Sequence, residues 1–240
     1  MHNPMEQFEV KSIFPMELLG FNVAFTNASM MMIINLCAIL FILAITARRV
    51  NIIPSRLQMV GESIYGLIDD MILGTAGPEA KRYMPFIFSL FMFILTCNLL
   101  GMIPFSFTVT SHIIVTLAMA LVVFVGVTII GFIRHGSKYL SLFLPSGTPM
   151  VMAPLMIFTE LFAYMVRPVS LSVRLAANMT AGHIVMKVIA SFVIMAGVAG
   201  VLPFALLFAL TGFEIFVAVL QAYIFTILSC VYLTDAIKLH

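Results

Sequence analysis

Charge is what this chain has least of. Its 240 residues include 12 Lys and Arg and 10 Asp and Glu, so 9% are charged, while 62% are hydrophobic and the mean hydropathy is +1.17. Soluble domains carry roughly a quarter charged residues, so this composition excludes them and indicates an integral membrane protein. The net charge of +2 is spread along the chain without a basic tail or patch, which argues against a DNA or RNA partner. Cysteine is sparse too. Cys37, Cys97 and Cys230 are scattered through apolar segments, so they read as small packing residues, and neither a metal centre nor a disulfide framework is expected. There is no G-x-x-x-x-G-K-[ST] phosphate loop, and the 19 Met and 22 Phe show no sign of a haem or quinone site, so no cofactor is expected. The first twenty residues carry Glu6, Glu9, Lys11 and Glu17 rather than a basic n-region, so no cleaved leader is expected.

The fold class expected is all-α and polytopic: a single membrane domain over 1–240 with an external N-terminal segment at 1–24. Stretches long enough to cross about 30 Å of hydrocarbon lie at 25–47, 83–104 and 112–133. Between the first two, Arg56, Glu62, Asp69 and Asp70 interleave with Leu57, Val60, Ile64, Leu67, Ile68 and Met71. That pattern predicts an amphipathic surface helix at 54–74. Basic residues flank two loops (Arg48, Arg49, Arg56, Lys81 and Arg82; then Arg134 and Lys138), whereas 105–111 has none. The positive-inside rule puts the basic loops on the cytoplasmic or matrix side and the N-terminus and 105–111 outside, with His112 at the outer end of the third span.

The C-terminal half is too long for upright spans. At 1.5 Å per residue, 149–195 would make a helix of about 70 Å and 201–233 one of about 50 Å. Breaks near Pro154 and Pro168 are one solution; a strongly tilted helical hairpin over 149–195 and 201–235, turning at Gly197, Gly200 and Pro203, is preferred. If the turn centres between Gly197 and Gly200, facing residues have numbers summing to about 397. This register sets His183 opposite Glu214 and Arg174 within a turn of Gln221.

Glu160, Arg167 and Arg174 lie seven apart, and seven steps of about 100° nearly complete two turns, so the three share a face that Asn178 extends. An Arg at mid-bilayer costs roughly 2.5–3.5 kcal/mol on insertion scales, so such residues face a partner, a bundle interior or water. One reading of Arg174 is a structural ion pair with Glu160 or Glu214. The other is functional: Ser170, Ser172, Ala176, Ala177, Ala181 and Gly182 are small, so another helix bearing a carboxylate can approach the cation closely. His183 and Glu214 can be a proton relay or a satisfied buried pair, and Lys187 belongs to the same polar stripe. Arg174 stays protonated and would serve as a fixed barrier. His112 and Asn98 are candidates for an outer aqueous path or simple interfacial residues; His135 and His240 fall in polar flanks.

These residues carry a resemblance. The run from Arg167 to His183, RPVSLSVRLAANMTAGH, resembles the signature of subunit a of F-type ATP synthases, alphaproteobacterial or mitochondrial in type. Leu220 to Phe225 (LQAYIF) with Val231-Tyr232-Leu233 resembles the family's last helix, and Glu6 to Glu9 (EQFE) and Asn98 to Pro104 (NLLGMIP) also fit. The resemblance implies a stator subunit, not itself catalytic, in a bacterial or mitochondrial inner membrane, with its hairpin against a rotating ring of c subunits. Subunit b of the peripheral stalk and the other synthase subunits are implied partners. It implies that Arg174 is the essential Arg facing the ring carboxylate, that Asn178 and Gln221 are its polar neighbours, that His183 and Glu214 form the outer half-channel pair, and that Glu160 is the acid of the inner half-channel. Arg167 matches a basic position in many relatives. A secondary transporter or cation channel is the alternative; it predicts internal repeats and paired broken helices, and the sequence shows neither.

Overall fold

A computed structural model describes residues 12–14, 17–18, 21–22, 24–47, 54–103, 106–143, 152–195 and 200–238. The EQFE segment, Arg48, Arg49, Pro104, Pro149, the Gly197 side of the turn and His240 lie outside the described residues. The chain is an all-α polytopic membrane protein. Its long helices are α1 (Asn27–Ala47), α2 (Arg56–Thr75), α3 (Met84–Gly101), α4 (Ile113–His135), α5 (Ala153–Met195) and α6 (Val201–Ile237). Short 3₁₀ turns precede α3 (Pro78–Tyr83) and α4 (Val109–Ser111), and another follows α4 (Gly136–Phe143). Among the described residues, five segments are long and apolar enough to cross a membrane: Asn27–Thr46, Pro78–Gly101, Ile113–Phe143, Ala153–Met195 and Val201–Ile237.

Four strands of two or three residues precede α1, a feature the sequence reading did not include. β1 (Ser12–Phe14) pairs antiparallel with β4 (Phe25–Thr26), and β2 (Glu17–Leu18) with β3 (Phe21–Asn22) inside it. The amphipathic 54–74 pattern corresponds to α2, which Ser55 caps by accepting from the Gln58 amide at 3.3 Å. Only part of its apolar set is buried: Ile68, Met71 and Ile72 lie inside, while Leu57, Val60 and Leu67 are exposed. α2 therefore packs mainly through its second half, where Thr234 of α6 donates to the Thr75 carbonyl at 3.3 Å.

α5 runs unbroken through Pro168, and Pro154 occupies its first turn, where a missing amide costs little. α6 packs against α3, α4 and α5 and contributes Ala218, Ala222, Phe225, Cys230 and Leu233 to the core. In the hairpin, Thr211 meets Met186 Sδ at 3.7 Å and Glu214 meets His183 at 3.9 Å, both at the 397 register. Farther from the turn the register drifts: Arg167 bonds Asp235, and those numbers sum to 402. Two close contacts depend on glycine, one from α3 to the loop after it and one from α4 to the 3₁₀ turn that follows. A Cβ at Gly101 would sit about 2.7 Å from Thr108 Cγ2, and one at Gly131 would collide with the Tyr139 ring.

The register is testable by cross-linking. In a chain with its native cysteines replaced, Met186→Cys with Thr211→Cys should form a disulfide on mild oxidation, whereas Met186→Cys with Phe208→Cys should not, since Phe208 is 80% exposed on α6. The assay is mobility on a non-reducing gel.

Candidate functional site

Two polar clusters sit at opposite ends of the hairpin. The first gathers around the loop between α3 and α4. Thr108 donates to the Gly101 carbonyl at 3.1 Å and contacts His183 Nε2 at 2.9 Å. With its only proton given to the carbonyl, the Thr108 hydroxyl accepts from His183 Nε2–H. Nδ1 is then the imidazole nitrogen turned to Glu214 Oε1, 3.9 Å away, an ion-pair contact rather than a hydrogen bond. Both residues are buried, and neither Glu214 oxygen has a hydrogen-bond partner among the described residues. Gly182 lets the helices come this close: a Cβ there would fall 2.5 Å from Glu214 Oε1.

The loop is pinned to α5 a second time and braced within itself. Thr180 donates to the Ser111 carbonyl at 3.3 Å, and the Ser111 hydroxyl donates to the Thr108 carbonyl at 2.6 Å. His112 stacks on Phe107, with ring centroids 4.8 Å apart, and its Nε2 is buried without a partner among the described residues. Burial holds the His112 imidazole below its ordinary pKa. Asn98 is buried and donates to the Ala218 carbonyl at 3.1 Å, joining α3 to α6.

The second cluster lies at the other end. Arg167 Nη1 donates to Asp235 Oδ2 at 2.7 Å, and its guanidinium lies 5.5 Å from the Tyr164 ring centre and 5.0 Å from that of Tyr232. Tyr164 is bound to Thr128 of α4 at 2.5 Å and to Tyr139 at 3.2 Å. His135 Nε2 reaches the Ile237 carbonyl at 3.1 Å, and Arg134 pairs with Glu79.

Between the clusters stands Arg174, exposed on α5. Among the described residues no carboxylate lies within 4.0 Å of its guanidinium, so the pairing with Glu160 or Glu214 that the sequence allowed is not made. Ser170, Ala177 and Ala181, on the same side of the helix, are exposed as well; Glu160 and Asn178 are half-buried, and Gln221 is buried on α6. The structure thus joins His183 to Glu214 but does not hydrogen-bond Arg174 to Asn178 or Gln221.

The comparisons with known proteins agree in kind with this arrangement. The family model described as ATP synthase A chain matches residues 29–234. The chain belongs to that family. It is 55% identical over 240 residues to the ATP synthase subunit a of Pelagibacter ubique (strain HTCC1062), an alignment covering 99% of this chain and 98% of that protein. As a member of the family it is a multi-pass, membrane-embedded part of an ATP synthase complex.

Sequence reasoning missed Thr108, Tyr164, Tyr232 and Asp235. Thr108 gave no signal, being one hydroxyl in an uncharged loop. Asp235 did give one, as an acid near the end of an apolar helix, but the 397 register aimed it at residue 162.

The buried imidazole of His112 has a consequence for pH. An unfolded His titrates near 6.5; with the folded value lower, the unfolded chain binds more protons below that point. The contribution to stability is therefore present above about pH 6.5 and is lost as pH falls toward the folded value. His112→Phe should flatten this acid-side decline in thermal-unfolding midpoint relative to the unsubstituted complex, measured between pH 7.5 and 5.5.

Proposed function

We propose that this chain is the proton-translocating stator subunit of a bacterial inner-membrane ATP synthase, forming two aqueous half-paths against a rotating ring of c subunits. The observation that carries this reading is the position of Arg174. The other charges of the stripe with partners here find them inside the fold, Arg167 with Asp235 and His183 with Glu214, whereas Arg174 is directed outward among small residues. In a membrane, a permanent cation on an outer face requires an anion from a neighbour. A carboxylate on a passing ring helix is the anion that fits, since the exposed Ser170, Ala177 and Ala181 allow a close backbone approach.

The division of labour follows from chemistry. Protons reach the ring from the outer side through His112, Asn98, His183 and Glu214, where the imidazole and the carboxylate, 3.9 Å apart, exchange a proton through one water or on closing to hydrogen-bond distance. The ring carboxylate takes the proton, turns away through lipid, and releases it on the inner side past Glu160. Arg174 holds its charge throughout, so it forces an arriving carboxylate to shed its proton and prevents a direct leak. Asn178 and Gln221 hold the polar boundary beside it. Each elementary charge crossing 100 mV releases about 2.3 kcal/mol, so several crossings must be summed for one ATP. Nucleotide chemistry belongs to partner subunits, and subunit b of the peripheral stalk holds this chain against rotation. In this arrangement α2 lies at the membrane surface and the α5–α6 hairpin is strongly tilted, because helices of 43 and 37 residues would rise about 65 and 55 Å against roughly 30 Å of hydrocarbon.

Inverted membrane vesicles carrying the assembled complex test this directly. Arg174→Ala should lower ATP-driven proton pumping by about tenfold or more with assembly retained; unchanged pumping would reduce Arg174 to a structural residue. Gly182→Ala should also impair pumping, by about threefold to tenfold, because the new methyl forces Glu214 away from His183, whereas Gly212→Ala on α6, with open space at its Cβ, should pump normally.

A further inference from the structure

The Arg167–Asp235 pair lies beside a weak point of α5. Pro168 has no amide proton, so the Tyr164 carbonyl loses its helical donor, and the proline ring crowds that same turn. A 43-residue helix interrupted in this way can bend there. The residues of the turn leading into Pro168 are fastened to three other elements. Tyr164 is held by Thr128 of α4 and by Tyr139 of the following 3₁₀ turn, and Arg167 is held by Asp235 and Tyr232 of α6, while Pro168 itself is buried. Arg174 lies six residues beyond Pro168, about 9 Å along the axis, so a change of about 10° in helix direction there would shift its backbone by about 1.5 Å. Displacements of that order are enough to spoil an electrostatic encounter.

We propose that Arg167 and Asp235 are positioning residues for Arg174: by fastening α5 to α6 immediately before Pro168, their ion pair fixes the direction in which the helix leaves the proline and hence the place where the Arg174 guanidinium meets its counter-charge. The inference rests on the reading of Arg174 as the barrier between half-paths, and its test separates the two. The experiment measures protons pumped per ATP hydrolysed in inverted vesicles containing the intact synthase, a ratio that a change in the amount of assembled complex does not move. Arg167→Gln and Asp235→Asn should each lower the ratio about threefold or more. The exchanged pair, Arg167→Asp with Asp235→Arg, or Pro168→Ala added to Arg167→Gln to restore the missing helical hydrogen bond, should recover at least half of the loss. A normal ratio in both single variants would overturn the proposal, as would a loss that neither the exchanged pair nor Pro168→Ala repairs. Arg174→Ala, run alongside, reports on the underlying reading: if it pumps normally, that reading fails; if it is inactive while the clamp variants are normal, only the clamp fails.

Discussion

The antiparallel register of α5 against α6 is the constraint on which the rest of the structure depends. In a low-dielectric interior a polar side chain is tolerable only opposite another polar group, so the register decides which residues are matched within the chain and which must look outward. At the turn end it sets His183 on Glu214 and Met186 on Thr211. At the far end it sets Arg167 on Asp235. Arg174 falls between those two matches, on the exposed side, and its isolation from carboxylates follows from where its neighbours have been placed.

Close approach accompanies the register, and glycine supplies it between α5 and α6 and at two contacts elsewhere in the fold. At Gly182 the missing Cβ is replaced by the Glu214 carboxylate, at Gly101 by Thr108, and at Gly131 by the Tyr139 ring. Each of these partners belongs to a polar cluster. Packing and polar matching are therefore one problem here: the small residue on one helix is what lets the hydrogen-bonding residue of another reach its place.

Much of this was legible in the sequence because membrane helices announce themselves by length and apolarity, and because a hairpin with one turn has one adjustable register. The His183–Glu214 contact follows from counting outward from Gly197 and Gly200. The same counting failed for Asp235, because two long helices that coil and bend do not keep a constant offset: between Thr211 and Asp235 the sum of facing numbers rises from 397 to 402. The seven-residue spacing of Glu160, Arg167 and Arg174 put them on one face but could not say that Arg167 would be claimed by α6 and Arg174 left exposed, a difference set by the neighbours rather than by periodicity. Thr108 was beyond sequence reasoning for another reason. Its role depends on a loop conformation that brings it to the Gly101 carbonyl and to His183 at once.

The two clusters also differ in what their protons can do. In the Tyr139, Tyr164 and Thr128 chain every hydrogen is committed: Thr128 donates to the Phe124 carbonyl at 2.7 Å, so Tyr164 must donate to Thr128 and Tyr139 to Tyr164. The chain ends on a backbone acceptor that cannot pass a proton on, so this cluster works as a fastener. Around His183 the opposite holds. Thr108 fixes one imidazole nitrogen and turns the other to a buried carboxylate whose two oxygens accept no hydrogen bond from the described residues. A proton held between such a pair leaves either an imidazolium beside a carboxylate or a neutral imidazole beside a carboxylic acid, and only the first separates charge. The same fold thus holds a polar lock at one end of its hairpin and a buried imidazole–carboxylate contact at the other, and the outward-facing Arg174 stands between them.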